Sequence, residues 1–207
     1  MIQTSKLFLI RHAPVKNLKG HVPKSNPDAV INKRHIKRLA AFIPDKCTWY
    51  VSPLKRAIQT AEALSKFVNV GEMNFEEKLV EQNFGNWAGK KISEVWDELK
   101  HHKNQHNFSF ICPETCPPNG DNFLDQCKRT VSFIDELNFY NQKALVIIAH
   151  SGTIRAFLSH VLDIDPNKAM SIEISHLSIT SIEVLKKENN KNRGGRYRLS
   201  SVNHQII

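Results

Sequence analysis

The stretch Leu7-Phe8-Leu9-Ile10-Arg11-His12 shares its layout with Ala144-Leu145-Val146-Ile147-Ile148-Ala149-His150. Each is a short apolar run, typical of a buried strand, that ends abruptly in a histidine. A helical pattern follows the second run, and ligands of α/β proteins bind at the carboxyl ends of parallel strands. We therefore expect both histidines to face one pocket. Arg11 and Arg56 make such a pocket suited to a dianion, with an imidazole available as a nucleophile.

The rest of the chain predicts a regular alternation of helices and strands. Apolar residues at helical spacing favour helices over residues 32–42, 53–67, 92–99, 123–139 and 153–162. Apolar or β-prone runs favour further strands over residues 48–51, 75–79, 172–174, 178–185 and 196–202. We expect Ser52 to cap the second helix, with Pro53 at its first position, and the strand over residues 75–79 to bring Glu81 to the same edge.

This alternation predicts the fold class. Strands that alternate with helices favour an α/β fold, a three-layer α/β/α sandwich with a mostly parallel sheet and an antiparallel edge strand. No repeat or linker divides the sequence. We therefore expect a single domain over residues 1–207.

Composition and charge limit the classes of protein that fit. Of the 207 residues, 41% are hydrophobic and 24% charged, which is enough for a substantial core. The formal net charge of +9 favours anionic ligands. The densest basic stretches, residues 33–38 and 186–198, are more typical of solvated surface than of a nucleic-acid interface, because no run of aromatic residues accompanies them. Since every apolar run is also too short to span a membrane, we expect neither nucleic acid nor membrane as a partner.

The four cysteines, Cys47, Cys112, Cys116 and Cys127, are few for a secreted scaffold of this length. Cys112 and Cys116 lack the spacing of a zinc knuckle, and a disulfide between them would require an oxidising compartment. We therefore expect reduced thiols and a cytoplasmic protein.

Three histidines in the least regular part of the chain, His101, His102 and His106, raise the alternative of a metal site. Neither a cysteine nor a carboxylate lies at matching spacing, so a solvated helix end fits this group better. We expect no metal and no cofactor.

Four blocks of sequence point to a family when they are taken together. The blocks are Leu9-Ile10-Arg11-His12, residues 52–61 around Arg56, residues 79–89 around Glu81, and residues 149–156 around His150. In this order and spacing they resemble the histidine phosphatase superfamily, in its phosphoglycerate-mutase-like branch. The resemblance covers nearly the whole chain. The variant Arg11-His12-Ala13-Pro14-Val15 is most similar to bacterial members grouped with α-ribazole-phosphate phosphatases.

The resemblance implies a role for each matched side chain. His12 is the expected nucleophile, which requires one neutral ring nitrogen while the other donates to a backbone carbonyl. Arg11, Arg56 and His150 are expected to hold the phosphoryl oxygens, because phosphoryl transfer depends mainly on positioning and charge stabilisation. Glu81 matches the family's proton donor to the leaving alcohol. That role requires a carboxyl group that is protonated near neutral pH.

Several neighbouring positions are weaker candidates. Ser151 and Gly152 begin a helix, so their backbone N–H groups are candidate phosphate donors. The Ser151 hydroxyl adds a further donor or caps the helix, and we favour the cap. Asn17 is a candidate phosphate contact, although it lies one place before the asparagine usual in the family. Asp121 stands where relatives often have a glutamate, and we expect Arg155 to be structural.

These patterns predict a metal-independent phosphomonoesterase that hydrolyses a small phosphorylated metabolite through a phosphohistidine. One alternative is a cofactor-dependent phosphoglycerate mutase, although such mutases resemble longer chains with an added segment that excludes water. Another is a non-catalytic phosphate-binding module, which the intact set of matched residues argues against. The identity of the ester, the oligomeric state and the roles of residues 101–122 and 186–198 stay open at this stage.

Overall fold

A sheet of six strands with helices on both faces forms the body of the protein. The computed structural model describes residues 4–100, 105–139, 142–186 and 194–206. The strands are β1 (Thr4–Arg11), β2 (Thr48–Val51), β3 (Glu72–Phe75), β4 (Ala144–Ala149), β5 (Ile179–Leu185) and β6 (Tyr197–His204). The α-helices are α1 (Lys33–Ala40), α2 (Lys55–Ser65), α3 (Ile92–Glu98), α4 (Phe123–Glu136), α5 (Ser151–Leu162) and α6 (Pro166–Met170). The predicted helices all exist, and their ends differ from prediction by no more than a turn.

The strand order β3-β2-β4-β1-β5-β6 places the two strands that precede the histidines side by side. The first four strands in this order run in parallel, so their carboxyl ends meet at one edge. β5 pairs antiparallel with β1, and β6 pairs antiparallel with β5. The sheet confirms the predicted class, since it is mostly parallel and has antiparallel strands at one side.

Burial on both faces of the sheet explains the composition of β4. Leu145 and Ile147 pack with α4 and α5 on one face, whereas Val146 and Ile148 pack with α1 and α2 on the other. A strand covered by helices on both sides reads as continuously apolar, and every residue of β4 is buried. The three layers of the predicted sandwich are therefore present.

A second, smaller apolar cluster lies outside the sheet. Its buried members are Val22, Trp87, Val95 and Ile111, with Phe84, Ile92, Leu99 and Phe110 packed against them. We call these residues the satellite cluster. It joins α3 to the irregular segment of residues 107–111 and so forms a wall beside the carboxyl edge of the sheet.

Ser52 does not cap the second helix, contrary to prediction. α2 begins at Lys55, and Leu54 occupies its N-cap position without a side-chain hydrogen bond. Ser52 is fully buried at the end of β2, and its hydroxyl lies 2.7 Å from Nε2 of His150. The strand end directs the hydroxyl towards the neighbouring strand, where a buried imidazole needs a partner.

The strand predicted over residues 75–79 is displaced towards the N-terminus. β3 ends at Phe75, and Glu77–Leu79 form a turn of 3₁₀-helix. The Glu76 side chain caps this turn by accepting from the backbone N–H of Lys78, at 2.9 Å. The connection still brings Glu81 to the carboxyl edge of the sheet.

The strand predicted over residues 172–174 is not observed in that described segment. Its carbonyl oxygens accept hydrogen bonds from arginine side chains instead of pairing in the sheet. Nε of Arg155 donates to the carbonyl of Ile172 at 2.8 Å, and Nη1 of Arg11 donates to that of Ile174 at 2.6 Å. Charged donors of this kind bind carbonyls more strongly than neutral ladder partners do.

No helix in the described part of the chain is long and apolar enough to cross a membrane. All four cysteines lie in described segments, and none of them forms a disulfide.

Core packing predicts the effect of a truncation in α5. Phe157 is fully buried and packs edge-on to Phe133, with ring centroids 6.2 Å apart. We expect Phe157→Ala to lower the free energy of unfolding by about 3–5 kcal/mol, because it removes buried apolar surface and leaves a cavity. Urea denaturation measures this change. Phe75→Ala is the matched control, since Phe75 is 58% exposed and should change stability by less than about 0.5 kcal/mol. Equal losses in the two variants would contradict the assigned core.

Candidate active site

The two histidines meet where the parallel strands end. His12 directly follows β1 and His150 directly follows β4, and their ring centroids lie 5.0 Å apart. Arg56 reaches the same place from the first turn of α2, which follows β2. Glu81 arrives after β3 and its 3₁₀ turn. The expectation that these side chains converge is thus met, and we call them, together with Arg11, the polar cradle.

The hydrogen bonds of His12 determine which ring nitrogen carries its proton. Nδ1 lies 2.7 Å from the carbonyl oxygen of Ala13, and a carbonyl only accepts, so Nδ1 is the donor. Nε of Arg56 donates to Nε2 of His12 at 3.1 Å, so Nε2 presents a lone pair. Burial lowers the pKa of His12 well below 6.5, and the neighbouring His150 and Arg56 lower it further. His12 is therefore a neutral imidazole with a defined tautomer.

Two buried guanidinium groups supply the positive charge of the cradle. Burial lowers the pKa of Arg11 to about 10, which leaves it cationic at neutral pH. Backbone carbonyls hold both groups: Nη1 of Arg11 donates to Ile174, and Nη1 of Arg56 donates to Ser25 at 3.1 Å. Among the described residues, Nε of Arg11 is a buried atom with no hydrogen-bond partner. Such a donor is suited to an anionic ligand.

His150 lies beneath the cavity rather than on its surface. Its side chain is fully buried, and its Nε2 pairs with the Ser52 hydroxyl. Nδ1 of His150 has no hydrogen-bond partner within the described segments. Burial lowers the pKa of His150 well below 6.5, with Arg56 and Arg11 adding to the effect, so the ring is neutral. Its expected contact with phosphoryl oxygens stays a prediction.

Glu81 is fixed by donors at the start of α5 and by a glutamine of α4. Nε2 of Gln126 donates to one carboxylate oxygen at 2.9 Å. The other oxygen accepts from the backbone N–H of Gly152 at 3.3 Å and from the Ser151 hydroxyl at 3.4 Å. A Cβ at Gly152 would lie 2.2 Å from Oε1 of Glu81 and 2.6 Å from Oε1 of Gln126, so a larger residue would displace these side chains from their present positions. The Ser151 hydroxyl therefore contacts Glu81, and it does not cap α5, contrary to the cap we favoured.

The protonation of Glu81 differs from the sequence-based expectation. Burial by itself raises the pKa of Glu81. Several contacts outweigh burial and lower the pKa: the hydrogen bond from Gln126, the charges of Arg56 and Arg11, and the hydrogen bond from the Gly152 N–H. The pKa of Glu81 therefore lies below its ordinary value, and the carboxylate is ionised at neutral pH. The hydrogen bond from Gln126 and the two cations beside the carboxylate account for this difference.

Among the weaker candidates for a substrate contact, two line the cavity and one does not. Asn17 and Arg155 line it; Nδ2 of Asn17 donates to the carbonyl of His21 at 3.3 Å. Arg155 also has the structural role we expected, since it holds the carbonyl of Ile172. Asp121 is absent from the lining and pairs with Arg129 at 2.9 Å.

His176 was not predicted from the sequence, although it lies against the nucleophile candidate. Its ring centroid is 5.1 Å from that of His12, and its Nδ1 lies 3.1 Å from the His12 carbonyl oxygen. Burial, with the charge of Arg11, lowers its pKa to about 4, so the ring is neutral. The residue comes from an irregular turn that includes Leu177 at φ +58°. Neither periodicity nor a motif marks such a position.

The structure describes only one of the three histidines that the sequence analysis considered as a metal site. His101 and His102 lie outside the described residues. His106 does not lie at a solvated helix end. Its Nε2 lies 2.8 Å from the carbonyl oxygen of Asn167 and so links its own segment to α6. Within the described residues, no group of three or more histidine, cysteine or acidic side chains could hold a metal ion.

The chain is similar to known proteins in both sequence and fold. The model of the histidine phosphatase superfamily (branch 1) matches residues 7–194. A provisionally named phosphoserine phosphatase 2 of Hydrogenobacter thermophilus is 27% identical over 187 residues, covering 86% of this chain and 89% of that protein. A 2,3-bisphosphoglycerate-dependent phosphoglycerate mutase of Thermoplasma acidophilum is 24% identical over 183 residues, covering 86% of each. The structure of an α-ribazole phosphatase from Shigella flexneri has a TM-score of 0.73 at 19% identity and covers 98% of both chains.

The family match covers all four blocks on which the sequence resemblance rested. The mostly parallel sheet brings those blocks to one edge, as the resemblance implies. The chain belongs to the histidine phosphatase superfamily (branch 1).

Proposed function

We propose that this chain is a metal-independent phosphomonoesterase that forms a phosphohistidine on His12. The observation that carries the proposal is the tautomer of His12. Nδ1 of His12 donates its proton to the Ala13 carbonyl, so Nε2 carries the lone pair of the ring. That lone pair points towards Nε of Arg56. A neutral nitrogen among cations is suited to attack the phosphorus atom of a bound ester.

The first step transfers the phosphoryl group to the enzyme. Nε2 of His12 attacks phosphorus, the N–P bond forms, and the bond from phosphorus to the ester oxygen breaks. Arg11 and Arg56 stabilise the charge on the non-bridging oxygens. One proton passes from Glu81 to the departing oxygen, so the leaving group departs as a neutral alcohol.

The second step returns the enzyme to its starting state. A water molecule attacks the phosphorus atom, and the N–P bond breaks. Glu81 accepts the proton that the water loses, and the electron pair returns to Nε2 of His12. Inorganic phosphate then leaves, so that one water is consumed for each ester hydrolysed.

Substrate binding favours protonation of Glu81, which takes up the proton from solvent. Arg11 and Arg56 are among the groups that lower the pKa of Glu81 in the free protein. A phosphate dianion bound between these cations offsets their charge and places negative charge beside the carboxylate. Both effects raise the pKa of Glu81 in the complex. The carboxyl group then becomes a competent acid where the ester binds.

A phosphoglycerate mutase is the second candidate, because one relative carries that name. That relative is matched over 86% of its own length, so chain length does not distinguish the two activities. The cavity wall favours hydrolysis. A bisphosphate requires a second group of cations, and beyond Arg11 and Arg56 the described lining offers Lys24 and Arg155, of which Arg155 already donates to the Ile172 carbonyl.

We also propose that a single domain over residues 1–207 acts on a small phosphate ester in the cytoplasm. The absence of disulfides among the four described cysteines supports a reducing compartment.

The nucleophile assignment predicts a chelator-resistant activity. We expect release of p-nitrophenol from p-nitrophenyl phosphate in EDTA, and a loss of at least about 1,000-fold in kcat for His12→Ala. After a rapid quench with labelled substrate, acid-labile phosphate should be found on His12. His21→Ala is the control, since His21 lies outside the cradle and the cavity lining. A label on serine or aspartate would contradict the mechanism, and faster interconversion of 2- and 3-phosphoglycerate than hydrolysis would favour the mutase.

The pKa shifts predict more activity in mild acid. His12 stays neutral below pH 6.5 because its pKa is lowered, whereas Glu81 gains its proton more readily as the pH falls. We expect kcat/KM for an alkyl phosphate to rise as the pH is lowered from about 8 to about 5.5. The ratio of wild type to Glu81→Gln should rise over the same range. Ionisation of the ester cancels in this ratio, so a constant ratio would remove Glu81 as the acid.

The close contact at Gly152 predicts an indirect loss of activity. We expect Gly152→Ala to lower kcat for an alkyl phosphate by roughly 10–100-fold, because the new methyl group displaces the Glu81 carboxylate. Binding of inorganic phosphate should change little. The double variant with Glu81→Gln should be no slower than Glu81→Gln alone. Additive losses would mean that Gly152 acts independently of Glu81.

A further inference from the structure

The Glu81 carboxyl group is enclosed by four hydrogen-bond donors. Its Oε1 accepts from Nε2 of Gln126 at 2.9 Å and from the backbone N–H of Gln82 at 3.3 Å. Its Oε2 accepts from the backbone N–H of Gly152 at 3.3 Å and from the Ser151 hydroxyl at 3.4 Å. An ionised carboxylate offers about four lone-pair sites, so these donors occupy all of them. The surroundings of the free protein are therefore arranged for the ionised form.

The protonated form of Glu81 needs a different kind of partner, because its O–H group requires an acceptor. The amide nitrogen of Gln126 and the two backbone N–H groups can only donate. Among the described residues that contact the carboxyl group, Ser151 alone offers a group that can donate or accept, since a hydroxyl hydrogen rotates about its C–O bond. The proton of Glu81 therefore lies on Oε2 and points towards Oγ of Ser151.

Rotation of the Gln126 amide would also present an oxygen to Glu81, but the neighbours of the amide oppose it. Nε2 of Gln126 donates to the carbonyl of Val80 at 3.3 Å and to the hydroxyl of Thr153 at 3.1 Å. The Thr153 hydroxyl in turn donates to the carbonyl of Leu79 at 3.1 Å, so it accepts from the amide. A rotated amide would place its oxygen against the Val80 carbonyl oxygen, and two acceptors repel each other. Nε2 is therefore the atom that faces Glu81 in both protonation states.

Ser151 is placed where it can pass a proton into the cavity. It is the first residue of α5, directly after His150, and it lines the same cavity as Glu81 and His12. When its Oγ accepts from Glu81, its own hydrogen is free to turn towards a bound ester. The contact of 3.4 Å is long for a hydroxyl, as catalytic hydrogen bonds often are before a substrate binds.

We propose that Ser151 relays the proton between Glu81 and the leaving oxygen, which makes it a further catalytic residue. This inference rests on the proposed phosphomonoesterase function. As the bond from phosphorus to the ester oxygen breaks, Oγ of Ser151 gives its hydrogen to that oxygen and takes the proton from Oε2 of Glu81. The hydroxyl is thereby regenerated, Glu81 becomes ionised, and the alcohol leaves neutral. In the second step the attacking water gives its proton to Ser151, which passes its own to Glu81.

The need of the leaving group for a proton tests the relay. An alkoxide is strongly basic and needs a proton to leave, whereas p-nitrophenolate leaves without one. We expect Ser151→Ala to lower kcat/KM for propyl phosphate by about 10–100-fold, and kcat/KM for p-nitrophenyl phosphate by less than about threefold. A structural or phosphate-binding role would lower both values alike. That result, or no loss with propyl phosphate, would overturn the proposal.

A double variant tests whether Ser151 and Glu81 act in one pathway. Glu81→Gln combined with Ser151→Ala should be no slower with propyl phosphate than Glu81→Gln alone, because either change interrupts the same relay. Losses that multiply would overturn the proposal. Ser65→Ala is the matched control, since Ser65 is an exposed serine of α2 outside the cavity lining and should change neither ester.

The number of protons in motion distinguishes the relay from direct donation by Glu81. The relay moves two protons in one step, so kcat/KM of the wild type for propyl phosphate should fall along a curve as heavy water replaces light water. Direct donation moves one proton and gives a straight line, which would overturn the relay. If the wild type releases phosphate from neither ester, the proposed phosphomonoesterase function itself fails. That result is distinct from activity with a straight line.

Discussion

The structure depends on holding two guanidinium groups, Arg11 and Arg56, inside the protein beside a single carboxylate, Glu81. Buried cations lose hydration, and burial lowers the pKa of both arginines. Burial is the main cause that lowers the pKa of the nearby His12 and His150 rings, and the arginine charges lower it further, so both imidazoles are neutral. Burial next to fixed cations therefore gives a neutral nucleophile at the place that attracts a dianion.

Backbone carbonyls from irregular segments stabilise the two guanidinium groups by accepting hydrogen bonds from them. Arg11 is held by Ile174, and Arg56 by Ser25. The carbonyls of Ile172 and Ile174, in the segment after α6, accept from Arg155 and Arg11, and this segment is not part of the sheet. The same segment supplies His176, whose ring contacts the His12 backbone. Departures from regular structure near the cradle are thus linked to the charges they stabilise.

The parts of the site that were predictable are those fixed by strand position. An apolar run that ends in histidine predicts where His12 and His150 emerge, and the parallel sheet then brings them together. Other features depend on tertiary contacts without a sequence pattern. Ser52 resembled a helix cap because proline follows it, but its strand end turns the hydroxyl towards His150. The low pKa of Glu81 depends on a hydrogen bond from Gln126 and on cations, all distant in sequence, whereas the role implied by the family resemblance required a protonated carboxyl group.

Chemistry and specificity occupy separate structural units in this protein. The cradle lies on strand ends and helix starts of the central sheet, where its geometry is constrained from both faces. The wall beside the cradle belongs to the satellite cluster, whose Phe84 and Phe110 line the cavity. A change in this wall can therefore alter which leaving group fits without moving Arg11 or His12. A division of this kind lets the wall vary while the charge arrangement of the cradle stays intact.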